Sequence, residues 1–221
     1  MKVTLITGAA SGLGRELSYL FARDGNHLLL IDIHIEGLKE TKQEIEKINS
    51  FIHVDLLEVD LSDLNSYKKI YNYTEEKNYF INNLVNCAGF GDCCDINKMN
   101  IDKQLTMTNV NCNALLYFTK VFLDKMLEKN EGHIINISSI AGFMPGPFTS
   151  SFVKQAHNDY TFTKIKPVSA KTVALYGYKK SQKGKKVAIV GFKNKLIIFA
   201  TRFFPRSLIT LISAKNIRKN K

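Results

Sequence analysis

The chain lacks tryptophan, is poor in proline and cysteine, and has no acidic residue towards its C-terminal end. It contains 221 residues, of which four are proline and four are cysteine. No apolar run reaches the roughly 18 residues of an ordinary membrane span. The cysteines lack zinc-site spacing, so no metal site is expected. The chain enters a strand without a charged leader segment, so we expect a reduced, cytoplasmic protein.

Charge is divided unevenly along the chain. The net charge is +11, but residues 160–221 contain 16 Lys and Arg and no Asp or Glu. Residues 1–159 therefore hold 15 basic and 20 acidic residues, a net charge of −5. Such a basic block is typical of a nucleic-acid or membrane-facing segment, and a solvated lysine-rich surface is the alternative. Because no base-stacking platform or recognition helix is evident, a nucleic-acid partner is not expected.

Apolar strands alternate with amphipathic helices over the first 138 residues. Strands are predicted over Met1–Thr7, His27–Ile33, Phe51–Val59, Phe80–Val85 and His133–Ser138. Helices are predicted over Arg15–Arg23, Ile35–Asn49, Leu64–Glu76 and Ile101–Lys129. This alternation predicts an α/β fold, a Rossmann-like doubly wound parallel sheet in a single domain, with ligands at the carboxyl ends of the strands.

A glycine-rich turn joins the first strand to the first helix. Gly8 allows the tight turn, Gly12 lets the backbone approach a pyrophosphate, and Gly14 lets the helix pack close to the strand. The N-terminus of the helix presents N–H groups and a positive dipole end to phosphates. The candidate residues for binding a dinucleotide here are Gly8, Ser11, Gly12, Leu13 and Gly14.

An acidic residue ends the second strand at the spacing that a dinucleotide requires. Asp32 follows Gly14 by 18 residues, close to the roughly 20 expected for the acid that binds an adenosine ribose. A carboxylate accepts hydrogen bonds from two hydroxyls and repels a 2′-phosphate, which favours NAD over NADP. Arg15 favours NADP instead, or is a solvated helix residue.

Two further strand ends carry candidate cofactor residues. Asp60 can contact the adenine edge, and a role as helix N-cap fits Ser62 or Asp63 better than Asp60. The segment Asn86–Gly89 ends the fourth strand with small residues, as needed where backbone lies flat against a ribose.

Together these motifs resemble the classical short-chain dehydrogenase/reductase family. The resemblance covers residues 1–147 and rests on Thr7–Gly14, Asp60-Leu61, Asn86-x-Ala88-Gly89, Asn111 and Asn136–Ser139. It implies an NAD(P)-dependent oxidoreductase that transfers hydride between the nicotinamide cofactor and a small carbonyl or alcohol substrate. The resemblance also implies that Leu61, Asn86, Ala88 and Gly89 contact the cofactor.

The family uses an Asn–Ser–Tyr–Lys set of catalytic residues. The tyrosine is the general acid/base, the lysine lowers its pKa and holds the nicotinamide ribose, the serine orients the substrate oxygen, and the asparagine holds a relay water. By resemblance, Ser139 takes the serine role, with Ser138 as the alternative. Asn111 takes the asparagine role, with Asn109 and Asn113 as alternatives.

The tyrosine and lysine are absent from the positions where the resemblance places them. Those positions hold Phe152 and Ala156, which offer neither a proton nor a charge. Tyr160 and Lys164 fit the Tyr-x-x-x-Lys pattern, but 21 residues after Ser139, and Pro167 limits a helix behind them. The pairs Tyr73/Lys77 and Tyr176/Lys180 fit the pattern equally well.

A single Pro145-Gly146-Pro147 motif combines two family features, the loop after the serine and the Pro-Gly motif after the sixth strand. We hypothesise an internal loss of roughly 40–50 residues, including the Tyr/Lys helix and the sixth strand, which leaves the sheet incomplete. Pro145 and Gly146 are then cofactor-binding candidates. Residues 1–147 are predicted to form the dinucleotide-binding Rossmann core, and 148–221 a truncated substrate-side segment with a basic, apolar tail of the same domain.

Three functions fit this sequence. The first is a dehydrogenase by descent with impaired turnover, and the second is an active enzyme that recruits Tyr160 and Lys164. The third is a non-catalytic nucleotide-binding or membrane-surface-associated protein. In the tail, Lys185–Phe192 is predicted as a last strand, and the apolar residues after it either pack on the sheet or a second subunit, or lie in a membrane interface with lysines against anionic lipid. The helix over Ile101–Lys129 also allows a homo-oligomer.

Overall fold

The computed structural model describes residues 1–92, 100–139, 142 and 168–205. The chain forms two compact units, Met1–Ile137 and Ser138–Lys221. The first unit holds a parallel five-stranded sheet in the order β3-β2-β1-β4-β5. Its strands are β1 Lys2–Thr7, β2 His27–Asp32, β3 Val54–Glu58, β4 Phe80–Asn86 and β5 His133–Asn136.

Helices connect these strands and cover the sheet. The first unit contains α1 Gly12–Arg23, α2 Ile35–Ile48, α3 Asn65–Glu76, α4 Ile101–Thr108 and α5 Ala114–Glu128, with a π-helical turn over Asn109–Asn113. The second unit contains α6 Ala170–Gln182 and α7 Phe192–Ala200. The predicted α/β class and the doubly wound parallel sheet are confirmed.

Strand β2 carries a continuous apolar run because helices cover both faces of the sheet. Leu28, Leu29, Leu30 and Ile31 of β2 are fully buried. A continuous apolar run of this kind is typical of a parallel strand covered on both sides. On one face, α3 packs against α5 through aromatic rings, with Tyr67 5.7 Å from Phe118 and Tyr71 6.1 Å from Phe122 between centroids.

The order of the strands determines where a ligand can bind. The chain moves outward from β1 to β2 and β3, then returns to add β4 and β5 on the other side of β1. The carboxyl ends of β1 and β4 therefore flank the topological switch point, where open α/β sheets have their ligand crevice. Thr7 and Asn86 are the last residues of these two strands.

The prediction of a last strand over Lys185–Phe192 is wrong. No strand forms in this range; Phe192 is instead the first residue of α7. Gly191 adopts a left-handed backbone with φ +86°, which turns the chain before the helix. Val190 is not in a ladder, and its carbonyl accepts a hydrogen bond from the Asn194 side chain at 2.8 Å. The continuous apolar run Val187–Val190 gave a strand pattern, but Gly191 ends it.

The other predicted elements form, with shifted ends. The third strand begins at Val54 rather than Phe51, because Phe51 lies in an exposed turn before it. The predicted helix over Ile101–Lys129 forms with the π-helical turn in its middle, which the apolar spacing did not reveal. The helix α6 was not predicted. Its N-cap is Ser169, whose hydroxyl accepts from the Thr172 N–H at 3.3 Å.

A polar cluster joins β3, α3 and β4 at the edge opposite the crevice. The Asp55 carboxylate accepts hydrogen bonds from the hydroxyls of Tyr79 at 2.7 Å and Tyr73 at 2.8 Å, and pairs with His53 at 2.8 Å. Burial acts to raise the pKa of Asp55, but the two tyrosine hydroxyls and His53 outweigh it and hold that pKa below its usual range. Burial, followed by the Asp55 carboxylate, raises the pKa of Tyr73 to about 12.

We expect this cluster to make stability depend on pH below neutrality. Because the pKa of Asp55 is lowered in the folded state, its contribution is present above the unfolded pKa and is lost as the pH falls through the folded pKa. Replacing Tyr79 with phenylalanine should lower the free energy of unfolding at pH 7 by about 1–2 kcal/mol. The loss should be smaller at acid pH, where the carboxyl becomes protonated.

Urea unfolding at the two pH values measures this difference. Tyr71→Phe is the matched control, because Tyr71 lies on α3, the helix that carries Tyr73, and packs on Phe122 outside the cluster. An equal loss at both pH values would contradict the assignment to the ionised carboxylate.

Candidate functional site

The hydroxyl of Thr7 joins the two loops that flank the switch point. Its Oγ1 accepts hydrogen bonds from the backbone N–H groups of Cys87 and Ala88, each at 3.0 Å, and lies 3.5 Å from the Val85 carbonyl oxygen. Thr7 is 2% exposed. The end of β1 is therefore tied to the loop after β4. Sequence reasoning used Thr7 only as part of a motif and did not assign it this role.

Close backbone contacts explain the glycines of the turn. A Cβ on Gly14 would lie 2.0 Å from the Gly8 carbonyl oxygen, and a Cβ on Gly8 would lie 2.8 Å from the Cα of Ala88. Gly8 and Gly12 also have positive φ angles, +71° and +54°. No larger residue fits without moving the backbone. The result is an open cradle at the N-terminus of α1, which begins at Gly12.

The carboxylate of Asp32 is placed beside this cradle. One oxygen accepts from the Ala10 N–H at 3.0 Å and the other from the His34 N–H at 3.1 Å. These two bonds hold the half-buried carboxylate between the glycine-rich turn and the start of α2. Each carboxylate oxygen has a further lone pair that can accept from a ligand hydroxyl.

Arg15 holds α1, the turn and α2 together. Its guanidinium donates to the carbonyl oxygens of Ala10 and Gly37 and to the Thr41 hydroxyl, and it pairs with Glu40 at 2.9 Å. The side chain is 28% exposed, which differs from the predicted solvated helix residue. The guanidinium is therefore engaged with partners inside the protein.

The two predicted cofactor residues in the loop after β3, Asp60 and Leu61, differ in exposure. Asp60 is exposed, and its carboxylate accepts from the Ser62 N–H at 2.8 Å. Leu61 is 6% exposed, and its carbonyl accepts from the Tyr67 hydroxyl at 3.1 Å. Asp63 accepts from the Asn65 N–H at 2.9 Å beside the start of α3. The N-cap of α3 is Leu64, which makes no side-chain capping bond, so the alternative of Ser62 or Asp63 as the N-cap is wrong. Asp60 thus lies in the loop just after β3, and the buried Leu61 holds this loop in place through its bond to Tyr67.

The side chain of Asn86 lies inside the protein. Its amide donates to the Asn136 side chain at 2.8 Å and to the Thr119 hydroxyl at 3.2 Å. Its carbonyl accepts from the Ile137 N–H at 2.9 Å. Asn86 thus connects β4 with β5 and α5, and Ala88 and Gly89 follow it on the crevice side. The partners Thr119 and Asn136 lie far away in sequence, and no local pattern indicates them.

Asn111 lies in the π-helical turn and fastens the loop that follows Gly89. Its amide donates to the Phe90 carbonyl at 2.8 Å and accepts from the Phe90 N–H at 3.1 Å. The alternatives point elsewhere: Asn109 donates to the Ser62 carbonyl at 2.9 Å, and Asn113 donates to Asn109. A π-turn widens the helix and is frequent at functional sites. Of these three asparagines, Asn111 alone has a described hydrogen bond to the loop that carries Ala88 and Gly89.

Cys87 is not an available nucleophile. Burial, followed by the nearby Asp32 carboxylate, raises the pKa of its thiol to about 12. A thiol in that state stays protonated at neutral pH and does not attack a substrate. The polar groups at this crevice are therefore carboxylate, hydroxyl, amide and backbone groups.

The remaining catalytic candidates belong to the second unit or lie outside the described residues. Ser138 and Ser139 are exposed, and the Ser139 carbonyl accepts from the Gly142 N–H at 3.0 Å. Four predicted site residues lie outside the described residues: Pro145, Gly146, Tyr160 and Lys164. Among the residues that the structure describes, no helix is long and apolar enough to cross a membrane.

Comparisons with known proteins agree with this geometry. A family model described as short chain dehydrogenase matches residues 2–174. The 17-beta-hydroxysteroid dehydrogenase 13 of Homo sapiens is 32% identical over 148 residues, covering 66% of this chain and 48% of that protein. Estradiol 17-beta-dehydrogenase 11 of Rattus norvegicus is 32% identical over 152 residues, covering 68% and 50%. The chain spans about half the length of these relatives.

A solved structure shares the fold over most of the chain. The short-chain dehydrogenase from Sphingobium yanoikuyae, in complex with NADPH, superposes with a TM-score of 0.78 at 18% identity. The match covers 87% of this chain and 88% of that chain.

Because Gly14 lies so close to the Gly8 carbonyl, a single methyl group added at Gly14 should strongly lower the stability of the fold. Gly14→Ala should lower the free energy of unfolding by about 3 kcal/mol or more, because the clash is with backbone. Gly177→Ala in α6 is the control, since its added Cβ would meet no atom within 4 Å. That control should be neutral or stabilise by about 0.5–1 kcal/mol. Thermal or urea unfolding compares the two, and equal effects would contradict the close packing.

Proposed function

Because this chain belongs to the short-chain dehydrogenase family, we propose that it binds a nicotinamide dinucleotide in the crevice at the switch point and descends from an oxidoreductase of small carbonyl or alcohol substrates. One observation carries this proposal. The Thr7 hydroxyl joins the glycine-rich turn to the loop after β4, where an α/β sheet has its ligand crevice.

The residues around the crevice suit the parts of a dinucleotide. The cradle formed by Gly8, Gly12 and Gly14 would hold the pyrophosphate, with Ser11 and Leu13 at the helix N-terminus beside it. Asp32 would bind the adenosine ribose, and Asp60 with Leu61 would flank the adenine. On the other side, Ala88 and Gly89 would lie against the second ribose, and Asn86 would hold their loop in place.

Charge around Asp32 supports NAD rather than NADP. A 2′-phosphate would meet the Asp32 carboxylate, and the cation best placed to offset it is Arg15. The Arg15 guanidinium is committed to Ala10, Gly37, Thr41 and Glu40. Releasing it would break its bonds to the partly buried Ala10 and Gly37 carbonyls and its ion pair with Glu40, which is costly.

We therefore expect the chain to bind NAD more tightly than NADP by more than about tenfold, or 1.4 kcal/mol. Asp32→Asn removes the charge while keeping the side-chain shape, so the preference should fall towards unity. Glu36→Gln is the control, because it removes an exposed carboxylate four residues away. Calorimetric titration of both cofactors measures the ratio, and equal affinity of the unmodified chain for both would refute the NAD assignment.

Hydride transfer needs a proton donor beside the reacting carbon. When bound, the nicotinamide supplies or takes up the hydride. Ser139 would orient the substrate oxygen, while Asn111 would hold the loop after Gly89 through Phe90 and present the π-turn backbone to a relay water. Neither side chain is an efficient acid. The proton must come from Tyr160, with Lys164 to lower its pKa, or turnover is impaired.

We propose that turnover is impaired in this chain. Phe152 and Ala156 occupy the positions where the family resemblance places the tyrosine and lysine. An internal loss that includes the sixth strand accounts for this, with residues 1–147 retained as the dinucleotide-binding core and 148–221 shortened. The crevice would still bind cofactor, with Pro145 and Gly146 near the nicotinamide.

A turnover assay over ketones, aldehydes and alcohols tests this, with NAD binding measured beside it. We expect binding with activity reduced by a factor of about 10²–10⁴ relative to a complete family enzyme. Tyr160→Phe should then change little, as should Tyr176→Phe, the control from an equivalent Tyr-x-x-x-Lys pattern. Full activity that disappears only in the Tyr160 variant would show that Tyr160 and Lys164 are the working pair.

The proposed partners follow from the same sequence features. A homo-oligomer would use the helical surface of α4 and α5, where Leu105 and Leu116 are exposed. The basic residues 160–221 would contact a membrane surface at its periphery, so we propose a cytoplasmic protein with a membrane-associated fraction. This membrane contact does not require catalysis and fits the non-catalytic alternative as well.

A further inference from the structure

Helix α7 presents an apolar stripe to the outside. Phe192, Leu196, Phe199 and Phe203 follow one another at the spacing i, i+4, i+7 and i+11, which places them on one helical face. Their exposed fractions are 79%, 57%, 57% and 71%. The rings of Phe199 and Phe203 lie 4.9 Å apart between centroids, so the stripe continues past the last helical residue. We call these four residues the α7 stripe.

The stripe is not the face by which the helix packs. Ile198, on another side of α7, is 5% exposed and provides the buried contact. Single exposed apolar residues are common, but contiguous large ones mark an interaction surface. The three exposed aromatic rings on this face therefore indicate a partner with an apolar surface.

Basic side chains border the stripe. Lys193 and Lys195 are exposed and lie on its two sides around the helix, and Arg202 is exposed between Phe199 and Phe203 in sequence. The Lys195 ammonium lies 5.5 Å from the centre of the Tyr176 ring of α6. No Asp or Glu occurs from residue 160 to the end of the chain, so nothing within that segment neutralises these cations.

This combination selects one class of partner. A second copy of this chain would bring the same lysines face to face, which costs electrostatic energy. A nucleic acid would pair with the cations through its phosphates but would leave the α7 stripe exposed to water. An anionic lipid surface suits both features, because its acyl chains can contact the apolar stripe and its headgroup phosphates can pair with the lysines.

We propose that the α7 stripe is an interfacial docking site for anionic lipid. The helix lies in the plane of the membrane surface, with Phe192, Leu196, Phe199 and Phe203 at the boundary of headgroups and acyl chains. Lys193, Lys195 and Arg202 reach the phosphates around it. This inference rests on the membrane contact of the proposed function and is independent of hydride transfer.

Sedimentation of the full chain with lipid vesicles tests the site. We expect binding to vesicles of phosphatidylcholine that contain phosphatidylglycerol, and weak binding to phosphatidylcholine alone. The double variant Phe199→Ser with Phe203→Ser should weaken binding about tenfold or more. Lys193→Gln with Lys195→Gln should weaken it about tenfold and reduce its sensitivity to salt.

Matched controls separate the site from general hydrophobicity and charge. Phe51→Ser removes a phenylalanine that is 95% exposed in the first unit, and Lys39→Gln with Lys47→Gln removes two exposed charges from α2. Both should bind vesicles as the unmodified chain does. Circular dichroism and NAD binding confirm that each variant is folded.

The other outcomes reject the inference in distinguishable ways. No vesicle binding at all would reject both the membrane contact and this site. Vesicle binding unchanged by the phenylalanine variant would leave the membrane contact but reject the α7 stripe. A dimer seen by light scattering that the same variant dissolves, or duplex DNA binding that it abolishes, would assign the stripe to those partners instead.

Discussion

The hydroxyl of Thr7 is the interaction on which the arrangement of the crevice depends. It accepts from two consecutive backbone N–H groups of the loop after β4 while remaining inside β1. The neighbouring strands β1 and β4, which flank the switch point, are thereby also joined beyond their paired residues, at the level where a ligand would lie. The neighbouring contact between Gly8 and Ala88 leaves no room for a side chain. The turn and the loop are thus tied by hydrogen bonds and by close backbone contact.

Asparagine amides extend this rigidity around the crevice. Asn86 connects β4 to β5 and α5, Asn111 fastens Phe90, and Asn109 reaches the loop after β3. Each amide pairs with backbone or with another side chain, so these loops are held by directional bonds rather than by apolar packing. A satisfied polar network of this kind specifies one conformation, which would suit the proposed binding of a flexible dinucleotide.

Local chemistry made much of this predictable from sequence. The turn at Gly8, the close packing of Gly14 and the position of Asp32 at the end of β2 were predictable because they depend on chain direction and spacing within one βαβ unit. The roles of Arg15 and Asn111 were not, because their partners come from other elements: Thr41 and Glu40 on α2, and Phe90 after β4. The false strand at Lys185–Phe192 has the same origin. A short apolar run is a local signal, whereas a strand needs a neighbour to pair with, and Gly191 turns the chain into a helix instead.

The bonds of Arg15 have an evolutionary consequence. Its guanidinium links the turn, α1 and α2, so it contributes to folding at the place where the proposed adenosine end of the site would lie. A lineage of this chain that exchanged one cofactor for the other could not reassign that residue without loosening the fold. The new cation would have to arise at a neighbouring exposed position such as Ile33 or His34. Replacement of Asp32 and the gain of that cation would each be of little use alone, so the two changes would be epistatic.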